Sequence, residues 1–163
     1  MSTNGIWEPG DVLEGQTLVL ELIARGESLR QVLDTLLRVI QLQSSGMLAS
    51  ILLLDPDGIH VRHGAAPDLP EDYVRAVDGL AIGPQAGSCG TAAFTRKAVV
   101  VGDIATDPLW NDYRAMALKH DLRTCWYAQE PTSKSAGCQC CCRHPATARC
   151  SSASPDTSWL PIS

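Results

Sequence analysis

The sequence contains no cluster of Lys or Arg, no apolar run approaching a membrane span and no secretory leader. Each absence narrows what the chain does. With a formal net charge of −5 and no basic patch, it offers no electrostatic footprint for nucleic acid or for an anionic membrane surface. The longest apolar stretches, such as Ile51 to Leu54, fall far short of the roughly 20 residues that cross a bilayer. Met1-Ser2-Thr3-Asn4 has neither the basic nor the apolar region of a signal peptide, so the chain reads as cytoplasmic. Also missing are a Gly-x-x-x-x-Gly-Lys-Ser phosphate loop, a nucleophile elbow and a zinc-protease helix, and no catalytic residues are assigned. What remains, 163 residues of which 45% are hydrophobic and 19% charged, fits one compact domain.

The seven cysteines are unevenly placed: Cys89 and Cys125 stand apart, whereas Cys138, Cys140, Cys141, Cys142 and Cys150 crowd together. Without a secretory signal a disulfide framework is a poor explanation. Four cysteines in the five positions 138 to 142 also fit no zinc-ligand spacing, so no metal site is assigned, even with His144 nearby. From 131 to 163 there are one Leu, one Ile and no Val or Phe. Such a segment buries too little apolar surface to offset the entropy of ordering it, and disorder is expected there, as over residues 1 to 10.

Between these ends the pattern is that of a folded domain. Residues 11 to 44 read as two helices; in the second, Leu29, Val32, Leu33, Leu36, Leu37 and Ile40 recur at a period of about 3.6, behind a Ser28/Gln31 capping box. The first carries Val12, Leu18, Val19, Leu22 and Ile23 and stops at Gly26. Their apolar stripe either packs on the domain's own sheet or pairs with a second copy in a homodimer. Met47 to Leu54 is apolar on both alternating phases, as a central strand should be, and Asp55-Pro56-Asp57-Gly58 turns it into a partner strand over 59 to 64. A short helix from Pro70 to Gly79, a loop over 80 to 87, a helix opening at Ser88, a strand over 98 to 101, a helix from Thr106 through Met116 and a strand over 122 to 128 follow.

Several residues carry chemical interest. Cys89, at a predicted helix N-terminus, is placed where a thiol pKa falls, or else is a small buried residue in a tight turn. His63 lies on the apolar phase of its strand, as a haem or metal ligand or as a core histidine. Trp110 and Tyr113 either wall a planar ligand or fill the core. His60, Arg62 and His120 read as solvated surface.

This order of elements resembles the GAF domain. The resemblance spans roughly residues 14 to 128 and rests on Ala49-Ser50-Ile51-Leu52-Leu53-Leu54-Asp55, Ile82-Gly83-Pro84 through Gly87-Ser88-Cys89-Gly90-Thr91-Ala92-Ala93, Val101 through Asp103-Ile104-Ala105-Thr106-Asp107-Pro108-Leu109-Trp110, and Leu122-Arg123-Thr124-Cys125-Trp126. It implies an α+β fold, a GAF/PAS-like central antiparallel sheet flanked by helices. It also implies the function of a sensory module like those of bacterial sensor histidine kinases and cyclic-di-GMP signalling proteins, binding a small molecule of unspecified identity. The ligand face would be built from Ile82 to Phe94 and Ile104 to Tyr113, with Gly87, Ser88, Cys89, Gly90, Thr91, Asp107, Trp110 and Tyr113 as ligand-binding residues. The amides of a helix opening at Ser88 to Gly90 favour an anionic or carbonyl group, and Gly87 and Gly90 let backbone approach it; alternatively these glycines only make a tight turn.

Past Cys125-Trp126 the resemblance implies a Pro-Ile segment, a glycine turn, two more apolar strands and a closing helix, none of which is present. The domain over 11 to 130 is therefore expected to be truncated or frameshifted, with the strand at 47 to 54 left with an unpaired edge. Two other functions stay open. One is a redox enzyme similar to the free methionine sulfoxide reductases, using Cys89 or Cys125. The other is a non-functional remnant.

Overall fold

The computed structural model describes residues 9–42, 46–129 and 136–142, with side chains over 13–42 and 46–127. Two helices come first, α1 (Pro9–Ala24) and α2 (Leu29–Gln41), divided by Gly26 at φ +72°. The capping box forms as its residues predict: Ser28 Oγ accepts the Gln31 N–H at 3.3 Å, and Gln31 Oε1 accepts the Ser28 N–H at 3.3 Å. Strands β1 (Met47–Leu54) and β2 (His60–Ala65) form the expected hairpin, with an irregularity between Ile51 and Leu52.

Next come α3 (Glu71–Val77), β3 (Leu80–Ala81), α4 (Gly87–Thr95), β4 (Val99–Val101), a 3₁₀ turn over Pro108–Trp110, α5 (Arg114–Lys119), β5 (Thr124–Gln129) and β6 (Ala136–Cys142). The expected loop over 80 to 87 contains β3, which extends the hairpin. The single helix expected from Thr106 is broken into the 3₁₀ turn and α5. Arg114 braces the break: its Nε and Nη2 donate to the carbonyls of Ile104 and Asp107, tying α5 back to the segment that leads into the 3₁₀ turn.

The six strands lie in the order β3-β2-β1-β6-β5-β4, and every described pairing is antiparallel. Here the structure corrects the sequence reading. Residues 136 to 142, expected to be disordered, form a strand between β1 and β5, so the predicted open edge of β1 is occupied. Ladder hydrogen bonds come from backbone and need no Val or Ile; Ala-Gly-Cys-Gln-Cys-Cys-Cys has no proline, and cysteine behaves as a small apolar residue. The ordered domain thus passes the expected boundary at 130. At the other end α1 already includes Pro9 and Gly10, while residues 1–8, 130–135 and 143–163 lie outside the described residues.

The two sheet faces bury different cores. On one, α2 seats Leu37, with Leu33 and Ile40, over Ala49 of β1 and Ala65 of β2. α1 rides on α2, where a Cβ on Gly15 would stand 2.5 Å from Val39 Cγ1, so glycine is what permits the close crossing. Of the two helical stripes, that of α2 packs on the sheet from Val32 onward, with Leu29 exposed, while Leu13, Leu18, Leu20 and Ile23 of α1 stay exposed. On the other face Leu52, Tyr73, Cys89, Ile104, Trp110, Ala117, Leu122, Cys125 and Tyr127 form the larger core, covered by α3, α4, the 3₁₀ turn and α5.

Candidate functional site

The two stretches expected to build the ligand face do meet on one side of the sheet. Gly87 opens α4 at φ +63°, a left-handed turn that glycine takes without a Cβ penalty. The turn delivers Ser88 into the interior, where its Oγ accepts the Trp110 Nε1–H at 3.0 Å. Both residues are buried, so this single bond satisfies a costly indole donor and sets the 3₁₀ turn beside α4. Tyr113, one turn on, is half-buried, and a Cβ placed on Gly87 would lie 3.7 Å from its Cδ2. Gly87, Ser88, Trp110 and Tyr113 are therefore one constellation.

The other four residues of the expected site are engaged elsewhere. Thr91 Oγ1 accepts the Ala86 N–H at 3.1 Å, a tie that closes the turn into α4. Asp107 Oδ1 accepts the Leu109 N–H at 2.9 Å, capping the 3₁₀ turn. Gly90 packs against its own loop: an added Cβ would stand 2.6 Å from Ala86 Cβ and 3.6 Å from the Ala81 carbonyl oxygen. The close approach that Gly90 permits is between two parts of this chain.

Of the two readings of Cys89, the buried one describes it. Its location at a helix N-terminus predicts a lowered thiol pKa, but burial pushes the thiol up to about 12, with the nearby Cys125 adding to the rise. Desolvation in the core outweighs the helix amides, because burial removes the solvation a thiolate would need. Cys125 is buried in the same core, and no disulfide joins the two.

His63, read as a metal ligand or a core histidine, has partners that the sequence reading did not single out. His63 Nδ1 donates to Asp78 Oδ1 at 2.8 Å, and the His63 backbone N–H donates to the same oxygen at 2.7 Å. Burial lowers the His63 pKa, against a smaller rise from Asp78, so the ring is neutral with its proton on Nδ1. Nε2 then carries a lone pair, and it is buried without a hydrogen-bond partner among the described residues. Ser50 Oγ is likewise buried without one among the described residues. Strand alternation puts Ser50 on the face of Leu48 and Leu52, and His63 stands opposite Leu52 in the register, so both orphaned atoms belong to the side of the sheet covered by α3 and α4. Asp78, fifteen residues from His63, has no periodic link to it, which is why the pair was not legible. Among the described residues no group of three or more His, Cys, Asp or Glu is arranged to hold a metal ion.

His120 is not solvated surface. Its ring packs edge-on against Tyr73, with centroids 6.3 Å apart, and its Nε2 lies 3.1 Å from Asp72 Oδ1. Lys119 Nζ donates to Asp72 Oδ2 at 2.8 Å, so α3 and α5 are clasped across this face. That cation is also the chief reason the Asp72 carboxyl is held below its usual range. His60 and Arg62 do lie at the surface, in ion pairs with Asp57 and Asp55.

A family model described as the GAF domain matches residues 26–129. The methyl sulfide methyltransferase-associated sensor of Methanosarcina acetivorans is 37% identical over 130 residues, a stretch that is 80% of this chain but 13% of that protein. Among solved structures, the GAF domain of a phosphoenolpyruvate-protein phosphotransferase from Coxiella burnetii superposes with a TM-score of 0.58 at 14% identity, over 86% of this chain and 80% of its own. fRMsr of Staphylococcus aureus, solved in complex with substrate, gives 0.57 at 13% identity, over 90% and 86% respectively. At such identities the structures share the fold. The antiparallel sheet with helices on both faces, the sequence segments on α4, the 3₁₀ turn and β5, and the family model agree: the chain belongs to the GAF domain family.

Proposed function

We propose that this GAF domain is the sensory module of a signalling protein of the sensor histidine kinase or cyclic-di-GMP type. It holds a small molecule against the sheet face beneath α3, α4 and the 3₁₀ turn, and it works without catalysis of its own. The observation that carries the reading is the pair of orphaned polar atoms, Ser50 Oγ and His63 Nε2, on that face. Buried polar groups without partners are rare in folded proteins, and Ser50 Oγ and His63 Nε2, on the same side of the sheet as the Ser88–Trp110 pair, suit a ligand that supplies the missing hydrogen bonds. With a neutral imidazole accepting at Nε2, the ligand presents an N–H or O–H donor there. The name of the Methanosarcina relative, a sensor, supports the same reading.

The redox-enzyme alternative asks for an accessible thiolate, whereas Cys89 is buried with its thiol pushed up to about 12 and Cys125 is buried beside it. No helix among the described residues is long and apolar enough to cross a membrane. The exposed Leu13, Leu18, Leu20 and Ile23 of α1 are where a second copy would pack in a homodimer.

Native mass spectrometry of the purified full chain after incubation with a small-molecule extract of its source cells tests the reading. A non-covalent mass excess that disappears on denaturation and weakens in Trp110→Ala is expected. A bare chain after that exposure counts against it. Turnover of free methionine sulfoxide with a thiol reductant, abolished by Cys125→Ser, would establish the enzyme instead.

A further inference from the structure

The register at the centre of the sheet brings together two cysteines that lie sixteen positions apart in the chain. β5 and β6 pair antiparallel with Cys125 directly opposite Cys141, and on its other side position 141 stands opposite Leu48 of β1. Cys125 and Leu48 both belong to the core beneath α4, so the register assigns position 141 to that same face. Positions 138, 140 and 142 alternate to the opposite face, where Ala49 and Trp126 pack with α2. Of the four cysteines in β6, one alone is in line with Cys125.

We propose that Cys125 and Cys141 form a redox-active cross-strand pair that closes into a disulfide when the oxidant is a small-molecule disulfide such as oxidised glutathione. Directly opposed residues of an antiparallel pair have Cα atoms about 4.5 to 5.5 Å apart. A disulfide accepts about 4.4 to 6.8 Å, so the backbone spacing of opposed positions suits one. The chemistry is two successive exchanges. One protein thiol loses its proton to solvent, and its thiolate attacks a sulfur of oxidised glutathione, forming a mixed disulfide and expelling one glutathione thiolate. The second protein thiolate attacks the protein sulfur of that mixed disulfide, forming the Cys125–Cys141 bond and expelling the second glutathione. Two protein thiols are oxidised, one glutathione disulfide is reduced to two thiols, and the leaving thiolates take up the two protons. Because Cys125 is buried, the exchange passes through transient opening of β6 from the sheet. The bond would then lock β6 to β5 under α4, next to Cys89, whatever small molecule the domain binds.

The test uses the full chain, reduced, desalted, equilibrated with oxidised glutathione, acid-quenched, alkylated under denaturing conditions and digested with trypsin. The expected product is peptide 124–134 disulfide-linked to peptide 135–143, with fragment ions assigning the link to Cys125 and Cys141. The link persists when Cys138, Cys140 and Cys142 are all changed to Ser, and Cys125 returns to full alkylation in Cys141→Ser. A link from Cys125 to Cys89, Cys138, Cys140 or Cys142, or a Cys125 that stays fully alkylated in the oxidised wild type, overturns the proposal. If a variant does not fold by circular dichroism, the wild-type fragment ions decide alone.

Discussion

Replacing Ser88 by Ala removes one oxygen from a side chain that is fully buried, and the consequence falls on Trp110. Its Nε1–H, now bonded at 3.0 Å, is left in the core with no acceptor and no water. An unsatisfied buried donor of this kind costs ~1–3 kcal/mol, more than the net worth of the bond. For a domain of this size that corresponds to a fall in Tm of about 2–4 °C per kcal/mol. Trp110→Phe removes the donor and part of the ring, so it destabilises through lost packing as well. In the double variant nothing is orphaned, because neither partner of the bond remains. The two losses should therefore fail to add, with a coupling of about 1 kcal/mol or more from the double-mutant cycle. Urea denaturation of the four proteins at constant m reads that coupling directly. Additive losses within ~0.3–0.5 kcal/mol would mean that Ser88 and Trp110 do not touch. The joining of α4 to the 3₁₀ turn, and with it the site, would then be refuted.

Three further outcomes are expected. Because burial depresses the His63 pKa below its ordinary 6.5, the unfolded chain binds the proton more readily; stability present above pH 6.5 falls as pH drops, by up to about 1.4 kcal/mol per pH unit, and His63→Gln should flatten that limb in urea titrations from pH 8 to 5. Gly90→Ala drives a methyl to 2.6 Å from Ala86 Cβ and should cost ~1–3 kcal/mol in the same assay, so a neutral result would mean that α4 lies further from the loop over 81–86. In native protein at pH 8, iodoacetamide should leave Cys89 unmodified over the time it labels the denatured chain completely, and rapid native labelling would contradict a buried thiol held near 12.

How far the residues spoke for themselves can be followed element by element. The amphipathic period and capping box of α2, the two-faced apolar run of β1 and the Asp-Pro-Asp-Gly turn each depend on neighbours a few positions away, and each formed as read. Cys89 was left between two readings for the opposite reason. A helix start is a local signal, whereas desolvation depends on what the rest of the chain lays over it. β6 failed likewise, since composition reports what side chains can bury and is silent on which backbone lacks a ladder partner.

The sequence by itself determined the family, the order and type of most elements and the two stretches that meet on one sheet face, because periodicity, turn chemistry and short motifs are written within a few residues of one another. Tertiary structure alone decided that Ser88 binds Trp110 across 22 residues, that Asp78 orients His63, that Gly90 and Thr91 serve their own loop, and that Cys125 faces position 141. Those outcomes depend on distances between segments remote in the chain, which exist only once the sheet has set its register and the core has excluded water.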